Sequence, residues 1–410
     1  MYFLVENGSV CCVRDFWRRK NIDIQKRDGS CQNYDAGKIR NAILRSFASV
    51  GSVVGSTELD ELLEGIEQKI VAAAGQGNPV TVERIQDYVE VALMEKCYYE
   101  EVKSYILYRE NHSRLRQERL KIVSLFPLLD GLHAVLKSAG RDFTGPMYSL
   151  EHLDVKFSAL STPDMPESVR LQMLIWAAAE LTTQEAPKWE MVAARLLMLQ
   201  FEQNLANSLK LMRLKGLYDK IQYLTGEGLY GSYILEHYSR AEIHEAEQLI
   251  DHTRDRLFTY SGLDLLLKRY VIRSHEGNPL ETPQEMFLGI ALHLAMHEKD
   301  RLLWVRKFYD MLSTLQVTMA TPTLSNARKP YHQLSSCFID TVPDSLDGIY
   351  RSIDNFAKVS KLGGGMGLYF GKVSASGGAI RGFKGVAGGV IRWIKGERHG
   401  CSRRPAGHVA

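Results

Sequence analysis

Between Thr321 and Cys337 the chain reads Thr-Pro-Thr-Leu-Ser-Asn, then residues 327–334, then Ser335-Ser336-Cys337 ahead of apolar Phe338-Ile339. The thiolate is the reactive form of cysteine, and one Cys delivered at the start of a short apolar strand, behind a Pro-punctuated loop and paired hydroxyls, suits a redox or nucleophilic thiol at a pocket floor. The competing reading is an inert small hydrophobe, which is what an unpaired cysteine more often is. A second cluster is basic: Lys26 and Arg27 beside a turn, with Lys38 on the helix that follows. Cations so placed can hold a triphosphate through charge-assisted hydrogen bonds, and they also make an ordinary solvated turn. Asp251-His252-Thr253-Arg254-Asp255 invites a catalytic assignment, but mixed charge at a helix end is more often a salt-bridged corner.

Local patterning says what positions these residues. Ile22 to Lys26 alternates like a strand, Arg27-Asp28-Gly29-Ser30 supplies a turn, and Cys31 to Tyr34 returns. Asp35 caps a helix over 36–49 with Ile39, Ala42, Ile43 and Phe47 on one face. Further helices fit 57–74, 81–96 (opened by Thr81) and 99–117. Breakers from Pro127 to Pro163 make 118–165 an irregular connector with one short helix. Helices follow over 166–180 and 189–203, the second repeating the aromatic-Glu-x-Val opening of Tyr99-Glu100-Glu101-Val102 at Trp189-Glu190-Met191-Val192. From 205 to 315 the periodicity is helical, in segments 205–214, 239–252, 262–269, 282–296 and 298–313.

Composition bounds the function. Of 410 residues 45% are hydrophobic, ample for two or three buried cores, and a net charge of +3 excludes a general polyanion binder. Six cysteines without Cys-x-x-Cys spacing are too sparse for a disulfide scaffold, which points to a reducing, cytoplasmic home. No apolar run reaches the roughly 18 residues needed to span a bilayer. The first residues place Arg18-Arg19-Lys20 after their apolar stretch, the reverse of a signal peptide. Residues 1–20 are therefore expected to be a disordered extension.

Taken in order, Thr321-Pro322-Thr323, Gln333-Leu334-Ser335-Ser336-Cys337, Asp344-Ser345-Leu346, the Gly363 to Gly367 run and Ile380-Arg381-Gly382 resemble the large (alpha) subunit of class I ribonucleoside-diphosphate reductases. Lys26-Arg27-Asp28-Gly29, followed by Lys38-Ile39-Arg40-x-Ala42-Ile43, resembles that family's ATP-cone. The resemblance implies an α+β chain: an ATP-cone over 21–117, a connector with a degenerate second cone-like helical region over 118–204, a helical reductase domain over 205–315, and the first strands of an incomplete ten-stranded α/β barrel over 316–395. It implies ATP or dATP on Lys26, Arg27, Gln32, Lys38 and Thr81. It also implies substrate contacts from Thr321, Ser336 and Cys337, with Cys337 as one of a pair of reducing thiols. Asp344, Ser345, Leu346 and Arg381 correspond to a site for a deoxynucleoside triphosphate effector at a homodimer interface. Magnesium would accompany the nucleotides, a separate small subunit would hold the radical cofactor, and thioredoxin or glutaredoxin would restore the thiols; no resident metal, membrane or nucleic acid is implied. An adenosylcobalamin-dependent relative and a non-catalytic nucleotide-binding module are the alternatives.

Three positions depart from the family pattern. Gln32 stands where some members carry an acid, Ser374 where an effector-phosphate Arg is usual, and Arg392 where Val-Ile-Pro-Trp is usual. After Lys395 the resemblance stops, and residues 396–410 turn basic and non-periodic. Reading the codons of Gly396 to Gly407 one base later permits the family's usual continuation, so a frameshift after Lys395, an out-of-frame tail and an inactive chain are the expectation.

Overall fold

The computed structural model describes residues 3–6, 9–12, 22–26, 30–75, 80–162, 164–210 and 214–401. The chain divides into two compact units, Met1–Lys121 and Ile122–Ala410.

In the first unit β1 (Phe3–Glu6) and β2 (Ser9–Cys12) pair antiparallel. That corrects the expectation of an unstructured extension for these residues. The overlooked signal is Asn7-Gly8, a dipeptide with strong preference for the space between short antiparallel strands. Next, β3 (Asp23–Gln25) pairs antiparallel with β4 (Cys31–Asn33), as the alternation predicts, and parallel with β5 (Val80–Thr81). Among the described residues four helices follow: α1 (Ala36–Ser49), α2 (Ser56–Gly75), α3 (Val82–Glu95) and α4 (Tyr99–Ser124). The Asp35 carboxylate accepts from Gly37 N at 2.9 Å and starts α1, whose Ile39, Ile43 and Phe47 recur every four residues on the buried face. They pack with Ile24 of β3, Leu59, Ile66 and Ile70 of α2, and Val89 and Leu93 of α3. Helix α4 runs past the expected end at Gln117, because neither Gly nor Pro interrupts the chain before Pro127.

The second unit is mostly helical. Its elements begin with α5 (Leu132–Asp142), a 3₁₀ turn (Pro146–Tyr148), α6 (Leu150–Leu160), α7 (Glu167–Glu180) and α8 (Trp189–Lys210). The expected irregular connector is therefore largely helix. Gly131 and Gly145, at φ of 89° and 122°, stand just before helix starts, and Pro146 opens the 3₁₀ turn, while Gly140 is accommodated inside α5. Then come α9 (Leu217–Gly226), α10 (Tyr233–His237), α11 (Arg240–Glu247), a 3₁₀ turn (His252–Leu257), α12 (Tyr260–Arg269), α13 (Pro283–Ala295) and α14 (Arg301–Ser313). The helix expected over 239–252 stops at Glu247, and the Asp251 carboxylate starts a new turn by accepting from Thr253 N at 2.9 Å. Met286, Leu288, Ile290 and Leu292 are all fully buried, and Gln284 and His293 are buried with them, so α13 is enclosed on nearly every side within the core.

After α15 (Thr321–Asn326), where a loop was expected, the chain enters β6 (Cys337–Thr341), α16 (Leu346–Lys361) and β7 (Gly365–Tyr369). The two strands run parallel from Cys337↔Gly365 to Thr341↔Tyr369, the strand–helix–strand unit from which an α/β barrel is built. The described residues contain no closed barrel. Helix α17 (Val390–Cys401) follows. Among the described residues no helix is long and apolar enough to cross a membrane.

Candidate functional sites

Sheet register places the cone residues. Thr81 lies opposite Gln25, next to Lys26, on one side of β3, while Gln32 lies opposite Ile24 on the other. Alternation turns Gln32 to the face of buried Ile24 and Thr81 to the opposite face with Gln25, so the sheet does not bring their side chains together, and Lys26 N closes the hairpin on Ser30 O at 2.8 Å. Arg27 lies outside the described residues. The Thr81 hydroxyl accepts from Arg84 N at 3.2 Å, so it caps α3. Lys38, in the first turn of α1, is placed along a groove of about 330 Å³ between α1 and α4, with Arg45, Ser49, Ser104 and Tyr108. This groove is electropositive: burial, followed by Arg116, Arg119 and Arg45, holds the nearby His112 below the usual imidazole range. Burial and then Glu90 push the Tyr105 phenol up to about 12, which keeps it a neutral lining group. Cations, hydroxyls and aromatic faces together suit a nucleotide polyphosphate.

Cys337 is the first residue of β6, with its sulfur 3.4 Å from the Ser336 hydroxyl. It is exposed rather than at a pocket floor, because strand alternation puts Cys337, Ile339 and Thr341 on the open face. Gly365 N donates to Ser336 O at 2.7 Å. The glycine run is needed for close approach: a Cβ on Gly364 would come within 2.8 Å of Val359 Cγ1 and 3.0 Å of Phe338 Cε2. Thr321 opens α15 and is tied to the Cys337 strand in two steps. Asn326 Nδ2 donates to Gln333 O at 2.9 Å and Leu362 O at 3.0 Å, and Gln333 Nε2 donates to Ser335 O at 2.9 Å.

Asp344 ends the β6 turn, and its carboxylate accepts from both the amide and the hydroxyl of Ser374. Those bonds, the hydroxyl's first, hold the Asp344 carboxyl below its ordinary range. Ser345 caps α16 by accepting from Gly348 N at 3.1 Å, and Leu346 begins that helix, exposed. Arg381, at φ 50°, forms part of a tight turn in which Ile380 and Phe383 exchange backbone hydrogen bonds. The corner at 251–255 is built from the Arg254–Asp310 ion pair at 2.8 Å and a His252–Asp255 contact at 3.5 Å, in keeping with its mixed charge. Sequence reasoning missed Tyr270, Glu281 and Arg328, which grip α15; single polar residues among apolar neighbours carry no spacing signal.

Comparison with known families matches residues 22–114 to the ATP cone domain, 256–332 to the ribonucleotide reductase all-alpha domain and 335–402 to the ribonucleotide reductase barrel domain. The chain is 55% identical over 370 residues to the ribonucleoside-diphosphate reductase subunit alpha of Treponema pallidum, a match covering 89% of this chain. It belongs to the ribonucleoside-diphosphate reductase alpha-subunit family. It is also 31% identical over 402 residues to the ribonucleoside-diphosphate reductase subunit alpha of Chlamydia muridarum, and 29% over 262 residues, 62% of this chain and 33% of the relative, to the ribonucleoside-diphosphate reductase 1 subunit alpha of Escherichia coli. The chain spans 44% of the length of the Treponema relative and 37% of the chlamydial one. Within the reductase family framework β3 to β5 and α1 to α3, with most of α4, fall in the ATP cone match, α12 to α15 in the all-alpha domain, and β6, α16 and β7 begin the barrel domain.

Proposed function

We propose that this chain binds ATP and dATP through its cone and serves, as part of an alpha subunit, the reduction of ribonucleoside diphosphates to deoxyribonucleoside diphosphates. What supports the reading is the match of residues 22–114 to an ATP cone, together with the cationic groove lined by Lys38 and Arg45 on α1. Lys26 is proposed as a phosphate contact, and Arg27 joins it by its place next to Lys26. In the second unit Thr321 and Ser336 offer hydroxyls to the substrate's ribose or phosphates, and Cys337 supplies one of two reducing thiols. As the sugar's carbon–oxygen bond breaks and the oxygen leaves as water, the two thiols give up two electrons and two protons and close one S–S bond. A radical cofactor on a separate small subunit initiates the chemistry, and a thioredoxin- or glutaredoxin-class dithiol reopens the disulfide. Magnesium accompanies the nucleotides. Asp344, Ser345, Leu346 and Arg381 read a deoxynucleoside triphosphate at the interface of an alpha homodimer, and the setting is cytoplasmic.

A charge-assisted phosphate contact contributes about 1.5–3 kcal/mol, so Lys26→Ala should weaken ATP binding about tenfold or more in calorimetric titration of the 410-residue chain. Superimposable titrations of the two proteins would remove Lys26 from the site.

A further inference from the structure

Helix α15 has six residues, Thr321–Asn326, too few to be stable alone, so the position of the Thr321 hydroxyl is set by whatever grips the helix. The grip comes at both ends from one residue. Tyr270 is buried, and its phenol oxygen lies 3.1 Å from Thr321 Oγ1 at the start of α15. Its carbonyl accepts from Arg328 Nη2 at 2.8 Å, while Arg328 Nη1 donates at 2.8 Å to Leu324 O in the last turn of the same helix. Arg328 is completely buried, and its Nε donates to the two Glu281 oxygens at 3.1 and 3.0 Å. Glu281 Oε1 is further fixed by Ile272 N at 2.7 Å. Space for the Arg328 side chain depends on Gly289, where a Cβ would stand 2.8 Å from Arg328 Cδ.

We propose that Tyr270 is a positioning residue that donates its phenolic proton to Thr321 and so turns the Thr321 hydroxyl proton outward, toward an acceptor oxygen of a nucleoside diphosphate. The proposal rests on the reading of Thr321 as a substrate contact. A phenol and a threonine hydroxyl each carry one proton, and the two oxygens share one hydrogen bond. If Thr321 donated inward, only lone pairs would face the ligand, and a phosphate oxygen, which accepts, would gain nothing. With Tyr270 as donor, Thr321 keeps its own proton for the ligand. The Arg328–Glu281 pair then serves as the frame that holds both hydroxyls in register, and it has no part in the ligand contact.

The test uses the 410-residue chain with cytidine diphosphate as probe, binding being followed by ligand-observed NMR titration. Tyr270→Phe removes one oxygen and should weaken cytidine diphosphate about three- to tenfold, the value of one hydrogen bond. Thr321→Val should lose at least as much, and Tyr270→Phe/Thr321→Val should be no weaker than Thr321→Val alone. Thr321→Ser, which keeps the hydroxyl, should bind near the wild-type level while Tyr270 is present and fall when Phe replaces it. ATP binding should be unmoved throughout. Wild-type affinity in Tyr270→Phe, or losses that multiply in the double variant, would overturn the positioning role and leave the substrate reading intact. A wild-type chain that ignores cytidine diphosphate would overturn the substrate reading of Thr321, and this inference with it.

Discussion

His293 is 6% exposed, and its Nδ1 lies 3.0 Å from the Tyr233 hydroxyl, which donates to Ala327 O at 2.8 Å. Burial first, then His332 and His297, lower its pKa to about 4. The folded value is below the ordinary 6.5, so the unfolded chain takes up the proton more readily. This contribution is therefore complete above about pH 6.5 and is lost as pH falls toward 4. From pH 7 to pH 5 the linkage removes about 2 kcal/mol. Urea midpoints across that window should fall in the wild type and flatten in His293→Asn; equal slopes would assign the effect to other groups. Thr81 offers a second single-residue test. Loss of its N-cap in Thr81→Ala should cost about 1 kcal/mol of cone stability by thermal unfolding, whereas Thr81→Ser, which keeps the oxygen, should cost little. Of the residues singled out from sequence, Thr81 as a cap was legible because capping follows from local order. The bond between Asp344 and Ser374 was not, since the two are thirty positions apart and belong to different elements.

At the level of elements, helices that carry their own signal were readable: Asp35 before α1 marks the start by residue type, and the structure places a cap there. The failures have physical reasons. Strand β5 has two residues, too short for alternation, and exists because β3 offers an edge beside it. Helix α15 contains Pro322, which reads as a loop but is tolerated in a first turn, and its stability comes from Tyr270 and Arg328 rather than from propensity. The same dependence gives a test. Arg328 and Glu281 are both buried, and removing one side of such a pair leaves an uncompensated charge at a cost of about 3–5 kcal/mol. Glu281→Gln should lower the denaturation midpoint of the second unit accordingly. A loss below about 1 kcal/mol would show that the carbonyls of Leu324 and Tyr270 satisfy the guanidinium without it.

Across the whole molecule, the family resemblance carried by the order of short motifs was enough to anticipate a cone and a barrel start, and periodicity alone the helical stretch between them, because those signals are local. The placing of Thr81 beside Gln25 depended on a parallel β3–β5 pairing across more than fifty residues, which no local pattern encodes. Each unit has its own core, Ile43, Ile66 and Leu93 in the first and Trp189, Leu196 and Ile290 in the second. Separate cores lead to the expectation of two calorimetric transitions. If ATP binds only the folded cone, then at a concentration of a hundred times Kd it adds about 2.7 kcal/mol to that unit. The same ATP concentration with Lys26→Ala, ten times weaker, adds about 1.4 kcal/mol. ATP should therefore raise one transition, assigned to residues 22–114 by hydrogen exchange, and raise it by about half as much in the variant. A scan in which ATP moves neither transition, or moves that of the second unit alone, would place the nucleotide outside the cone.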